Sequence, residues 1–298
     1  MTRRLAWQGV AFRVPDNWEL ALHRNAPGGA HHIEIEDACA VRLELDWTFS
    51  RKERRTARFR AGHRKLSKQF TARATSKTRV PDLPEGWQAT HYVFRETLPT
   101  RRRDRHLSVV SHDLVHATYA APDGSILATA TIHVLPDDPE DPVELTHIVT
   151  AGFECRHDPL RWQAFDIAFE LPARFQLEGT SFDIGSKLLV FRAGRRRLYR
   201  WFLSCADRFL TPETNATEWV VAFLNGQRRV PGIVFLPAAD GTVTWRRRRP
   251  HVLCHRDELS RWCFRYRVTF ERDTERNQLR ITVFNYREPG DLRWLSPT

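Results

Sequence analysis

Lysine is scarce in this chain. Lys52, Lys65, Lys68, Lys77 and Lys187 are the only lysines among its 47 basic residues, and the rest are arginine. An arginine bias of that strength follows from the coding habits of a GC-rich genome. The net charge of +11 therefore does not by itself point to nucleic acid. Cysteine is sparse as well. Cys39, Cys155, Cys205, Cys254 and Cys263 are odd in number and mostly far apart, which excludes a secreted disulfide framework. Cys39, Cys155 and Cys205 adjoin apolar residues and are expected as buried thiols. No apolar run approaches the roughly 20 residues of a membrane helix. Met1-Thr2-Arg3-Arg4-Leu5-Ala6-Trp7 enters a strand at once, without the apolar region of a signal peptide. The expectation is a soluble, cytoplasmic protein. Catalytic fingerprints are missing too: there is no Gly-x-Ser-x-Gly, P-loop, Gly-x-Gly-x-x-Gly or His-Glu-x-x-His. No enzyme and no cofactor is expected, although a catalytic triad is defined by a geometry that no sequence displays.

What is present builds cores. Across 298 residues, 41% are apolar, with eighteen Phe and ten Trp, enough for two domains of about 150 residues each. The organising stretch is Trp7–Leu20, because a degenerate copy returns at Trp162–Leu177. With the prolines aligned, Val10, Phe12, Val14, Pro15, Trp18 and Leu20 meet Ile167, Phe169, Leu171, Pro172, Phe175 and Leu177. Each copy alternates, runs into a proline and places an aromatic three residues on. The apolar positions persist while Trp18 becomes Phe175, so the stretch reads as a core entry strand and as the mark of a duplication. The domains are expected at 1–155 and 156–298, with the boundary inside 154–161.

Both halves follow one order. Strands 33–36 and 40–47 form a hairpin across Asp37-Ala38-Cys39, with Val41, Leu43, Leu45 and Trp47 on one face and Arg42, Glu44 and Asp46 on the other. The second half repeats this with 187–192 and 197–203 around Ala193-Gly194-Arg195. Ser50-Arg-Lys-Glu53 is a capping-box signature for a helix to about Phe70, whose apolar stripe of Phe59, Leu66 and Phe70 is narrow. Its counterpart begins at Thr211-Pro212-Glu213 and stops before Gly226. Alternating strands follow at 87–96, 107–120 and 125–135, then at 233–236, 242–246, 262–271 and 278–287. Asp141-Pro142 opens a closing helix over 142–153 in the first half alone.

Strand, hairpin, helix and antiparallel strands define an α+β class with helices covering antiparallel sheets. With the strand–Pro–x–x–aromatic signature and the closing Leu145-x-x-Ile148…Gly152-Phe153, each half resembles the PsbP-like family of α/β/α sandwich domains. The resemblance covers most of each half. The second half departs from it by ending at Leu292-Arg293-Trp294-Leu295 without a terminal helix. It implies non-catalytic modules that bind and stabilise partner proteins, and it carries no catalytic residue pattern.

The sharpest candidate site is the basic helix. Residues 51–73 hold ten basic side chains and one acid, net +9, whereas 1–150 as a whole is only +3. Arg51, Arg54, Arg55, Arg58, Lys65 and Lys68 recur at three-to-four-residue spacing and form a cationic ridge. That ridge suits an acidic protein surface, the acidic remainder of its own domain, or phosphates bound through counterion release; it is also what a solvated outer face looks like. The shorter runs 101–105, 194–197 and 246–249 sit at strand ends or turns. His251, Cys254, His255 and Cys263 offer nitrogen and sulfur donors that zinc accepts. Their spacing matches no common finger, and buried thiols with surface histidines is the competing reading. His112 and His116 have the i, i+4 spacing of a helical metal pair but lie in strand-like sequence, where they stand about 13 Å apart, too far to share one ion. His31-His32 is expected in a polar loop. The expectation is a non-catalytic binding protein that docks an acidic partner through the basic helix, with a nucleic-acid-binding protein using the same helix, or an enzyme with no recognisable motif, as the alternatives.

Overall fold

The computed structural model describes residues 1–26, 30–49, 53–98, 108–135, 138–227, 229–230, 232–247 and 264–295. It divides into two compact units, Met1–His157 with Arg161–Phe169, and Asp158–Leu160 with Glu170–Thr298.

The first unit opens with a hairpin of β1 (Thr2–Trp7) and β2 (Val10–Pro15). Gln8 and Gly9 turn it with φ of 47° and 90°, the left-handed pair that a tight hairpin requires. A Cβ on Gly9 would meet the Arg156 carbonyl at 2.9 Å, so glycine is needed there twice over. Next come β3 (Glu19–Ala26), β4 (Ala30–Glu36), β5 (Val41–Thr48), α1 (Glu53–Arg73), β6 (Ser76–Arg79), β7 (Trp87–Leu98), β8 (Ser108–Ala120), β9 (Leu127–Val134) and α2 (Pro142–Ala151). Last are β10 (Glu154–Cys155), β11 (Leu160–Ala164) and β12 (Ile167–Leu171). These strands form a five-stranded sheet, β10-β2-β1-β11-β12, and a seven-stranded sheet, β3-β4-β5-β9-β8-β7-β6. Helix α2 is capped by Asp141, whose side chain accepts from the Val143 and Glu144 amides. It lies against β2 of the first sheet and β7, β8 and β9 of the second.

The repeated stretch holds equivalent places in both copies. Trp18 donates its backbone N–H to the Pro15 carbonyl at 3.1 Å, and Phe175 does so to Pro172 at 3.0 Å. Both aromatics are fully buried. The Trp7–Leu20 copy proves to be a hairpin turn, a strand and a proline bend in succession, as is the second.

The expected α/β/α sandwich is not formed. The described residues are mostly strand, in four antiparallel sheets with only three α-helices. A two-residue period identifies strands but not the sheet they join, and here most strands pair with chain neighbours into broad sheets. Each face then takes its own character. Leu43, Leu45 and Trp47 of β5 pair with Ile132, Ala130 and Ala128 of β9 on the core face, all buried. The opposite face carries Asp46, Thr129, Thr118 and Gln88 in one row across the strands. Arg42, expected on that outer face, is instead 3% exposed. A register shift between Ile35 and Glu36 turns the end of β5, and Arg42 meets Asp37, Asp138 and Glu140.

In the second unit β13 (Gln176–Asp183), β14 (Ser186–Ala193), β15 (Arg196–Ser204), β18 (Arg265–Asp273) and β19 (Gln278–Tyr286) form a sheet in the order β13-β14-β15-β19-β18. A separate hairpin of β16 (Ile233–Pro237) and β17 (Val243–Arg247) makes the fourth sheet. Helix α3 (Ala216–Gln227) packs on β16. The core gathers Trp201, Val220, Leu224, Phe235, Phe264 and Ile281. The expected start at Thr211 is four residues early: Asn215 is the cap, accepting from the Thr217 and Glu218 amides. Thr211–Thr214 is a separate turn, closed by Thr214 N–H on the Thr211 carbonyl. Gly226, expected as the stop, lies inside the helix.

Two further expectations fail. Cys39 and Cys205 are exposed and Cys155 is half-buried, because Cys39 sits in the β4–β5 turn and Cys205 in a left-handed bend. His31 and His32 lie in β4, not in a loop.

Candidate functional site

Helix α1 splits into two faces. Arg58, Lys65 and Lys68 are exposed, and among the described residues no carboxylate pairs with them. Arg51 lies outside the described residues, as do the side chains of Arg54 and Arg55 in the first turn. At 1.5 Å per residue, Arg58 to Lys68 spans about 15 Å of helix. Between the cations, Ala57 and Ala61 leave a shallow surface groove also bordered by Arg60 and Arg64.

The inner face of α1 is half-buried over β7, β8 and β9. Its C-terminal part seats apolar on apolar: Phe70 meets Tyr92 at 5.7 Å and Phe94 at 6.3 Å between ring centroids, with Leu114 in the same cluster. Its N-terminal part meets the polar row of the sheet, and there contact opens into a cleft of about 690 Å³. Phe59, Arg60, His63, Arg64 and Ser67 of α1 form one wall. Gln88, Thr90 and Tyr92 of β7, His116 and Thr118 of β8, and Leu127 and Thr129 of β9 form the floor, and Arg79 of β6 stands at the edge. Among the described residues no Asp or Glu lines the cleft.

Two imidazoles tie helix to sheet. His63 and His116 stack with centroids 6.0 Å apart and planes 19° apart. His63 Nε2 lies 3.3 Å from Thr129 Oγ1, and His116 Nδ1 lies 3.3 Å from Thr131 Oγ1. The other nitrogen of each ring is buried without a hydrogen-bond partner from the described protein. Burial pushes His116 down to about 4 and also lowers His63. Both rings are therefore neutral at pH 7, and the positive charge of the cleft comes from Arg60, Arg64 and Arg79. Thr129 is 4% exposed within a strand, so its hydroxyl is an anchor for His63, not a group presented to substrate.

Beyond α1 the same sheet face carries its own ion pairs. His32 lies 2.9 Å from Asp46 and 3.2 Å from Glu34; the hydrogen bond to Asp46 is the main cause that lifts it to about 9. His133 pairs with Glu44 at 2.9 Å. His112, on the same strand as His116, stacks on Phe94 at 4.9 Å. His251, Cys254, His255 and Cys263 lie outside the described residues. Among the described residues no cluster of three metal-ligating side chains occurs, and no helix is long and apolar enough to cross a membrane.

The count and spacing of cations along α1 do not announce the cleft. Arg60, Arg64 and His63 flank the narrow apolar stripe, and Arg79 comes from a four-residue edge strand that no periodicity announces.

No family model matches the chain. No curated protein matches it either. A solved structure from Bacteroides thetaiotaomicron is similar at 10% identity, over 73% of this chain and 58% of that one, with a TM-score of 0.28. The chain thus spans less than two thirds of that protein, and a likeness of this size carries no argument about fold or function.

Proposed function

We propose that this is a non-catalytic, cytoplasmic binding protein that docks an acidic segment of a partner protein on the outer face of α1. The observation that carries the reading is the set of exposed cations Arg58, Lys65 and Lys68, which no carboxylate of the described residues neutralises. No described acid of the domain pairs with them, which supports their charge being available to a partner. Single surface ion pairs contribute about 0–1 kcal/mol each, so affinity depends on several acting together along the helix.

Charge balance favours an acidic protein segment over nucleic acid. Outside 51–73 the first 150 residues carry net −6, and a polyanion longer than the helix would overhang that repulsive surface. A short acidic segment matches the ridge and stops with it. The free thiols Cys39, Cys155 and Cys205 suit a reducing compartment.

The test is titration of the full chain with a poly-glutamate peptide, duplex DNA and single-stranded DNA, each at low and physiological ionic strength. The expected result is salt-sensitive binding of the peptide that Arg58→Glu with Lys65→Glu and Lys68→Glu removes. Tighter binding of either nucleic acid, lost in the same variant, would transfer the ridge to that partner. No peptide binding at low salt would end the proposal.

A further inference from the structure

The cleft beneath α1 shares Arg60 and Arg64 with the outer groove but is not lined by Arg58, Lys65 or Lys68, and it has the features of a small-molecule site. Its volume of about 690 Å³ lies within the ~300–1,000 Å³ usual for such sites. Three arginines line it from two elements, Arg60 and Arg64 from the helix and Arg79 from β6. Among the described residues none of the three is paired with a carboxylate. Guanidinium groups recognise the oxygens of carboxylates and phosphates through paired N–H donors. Behind them, Thr90 and Thr118 supply hydroxyls, Ser67 and Tyr92 bond to each other at 3.2 Å, and Phe59 and Leu127 supply apolar surface. A bare inorganic anion would satisfy the arginines and leave this floor unused. His63 of the wall and His116 of the floor each keep one ring nitrogen buried without a hydrogen-bond partner among the described residues, so neither nitrogen is offered to the ligand.

We propose that the cleft between α1 and strands β6–β9 binds a small organic molecule with an oxyanionic head, a carboxylate or phosphate, held by Arg60, Arg64 and Arg79, its body lying over the threonine and aromatic floor. The arginines fix the head at the rim. Three arginines with no acid among the described lining residues favour an anionic ligand over a cationic one, whose charge they would leave uncompensated.

The experiment is calorimetric titration of the full chain with phenyl phosphate, benzoate, inorganic phosphate and benzyl alcohol. Saturable binding of phenyl phosphate or benzoate is expected, tighter than inorganic phosphate, with benzyl alcohol silent. Preference between the first two identifies the head as tetrahedral or planar. Arg64→Ala and Arg79→Ala should each weaken binding roughly ten- to hundredfold. Both side chains are exposed, so both variants fold, as matching far-UV circular dichroism would verify. Lys65→Ala and Lys68→Ala should leave this binding unchanged while weakening the acidic peptide, which separates the cleft from the ridge. The proposal is overturned if no organic anion saturates the protein, if Arg64→Ala and Arg79→Ala bind as wild type does, or if the ridge variants weaken binding equally.

Discussion

Replacing Arg42 with methionine should destabilise the first unit more than any surface change. The guanidinium is buried at the meeting of two loops. It lies 2.8 Å from Asp37, is bonded to Asp138 and sits 3.5 Å from Glu140, with its Cζ 5.8 Å from the centroid of the buried Trp18 ring. The carboxylates are not free to turn to water. Asp37 accepts from the Cys39 and Ala40 amides at 2.7 and 2.9 Å, and Asp138 accepts from Leu135 at 2.6 Å. Methionine keeps the apolar stem and removes the charge, leaving side chains 10% and 17% exposed facing each other. Breaking a buried pair from one side costs about 3–5 kcal/mol; Glu140, at 29% exposure, adds little. At roughly 2–4 °C per kcal/mol for a unit of this size, the melting temperature should fall by about 6–20 °C at pH 7. The pH dependence tests the cause. Burial alone would raise Asp37, but its amide bonds and Arg42 hold it below the usual carboxylate range, and the Arg42 bond does the same for Asp138. A depressed carboxyl stabilises above its unfolded value of about 3.9 and loses that contribution as pH falls through the folded value. The wild-type advantage over Arg42→Met should therefore shrink below about pH 4. A loss under ~1 kcal/mol at pH 7, or one that persists undiminished in acid, would refute the reasoning.

Two histidines give opposite limbs to the stability profile. His116, held near 4 when folded and 6.5 when unfolded, favours the fold above pH 6.5 and loses that contribution as pH falls from 6.5 toward 4. The ceiling is about 3 kcal/mol, from roughly 1.4 kcal/mol per pKa unit. Urea denaturation at stepped pH should show a shallower acid limb in His116→Phe, and an unchanged limb would remove the imidazole from the account. His32, raised to about 9, stabilises below pH 6.5 and loses that contribution as pH rises through 9, so His32→Gln should flatten the alkaline limb only. At the start of α3, Asn215→Ala should cost about 1 kcal/mol in chemical denaturation and Thr211→Ala under about 0.5 kcal/mol. The reverse order would restore Thr211 as the cap.

The sequence displayed local chemistry well and assembly poorly. The Asp37-Ala38-Cys39 and Ala193-Gly194-Arg195 turns, the Asp141-Pro142 helix start and the alternation of β5 are contests between neighbouring residues, and each lies where its residues indicate. Thr211-Pro212 misled because a threonine–proline pair suits a turn as well as a helix start, and Asn215 offered the better acceptor. Arg42 misled because alternation assumes an unbroken register. The register shift at Glu36 is invisible until β4 and β5 are paired. Which strands share a sheet was not written locally, and the sandwich expectation failed there.

The cleft follows from a mismatch that was legible in two separate places. A helix whose apolar stripe is only Phe59, Leu66 and Phe70 can seal only a narrow strip. A sheet face alternating His116 with Thr118, and Thr129 with Thr131, offers little apolar surface to seal against. Where Phe70 meets Tyr92, Phe94 and Leu114, the two surfaces agree and close. About two turns earlier the helix presents His63 and the sheet presents His116; two neutral rings stack, and the flanking arginines stay wet. Burying those polar rows under aliphatic side chains would leave hydroxyls unpaired at about 1–3 kcal/mol each, so the open cleft is the less costly packing. Filling it from the protein side tests that argument: Thr118→Leu should gain no stability if the threonine row is what holds the helix off the sheet. A gain of 1 kcal/mol or more by urea denaturation would show that the cleft is merely underpacked core, of the order expected for burying an added apolar side chain.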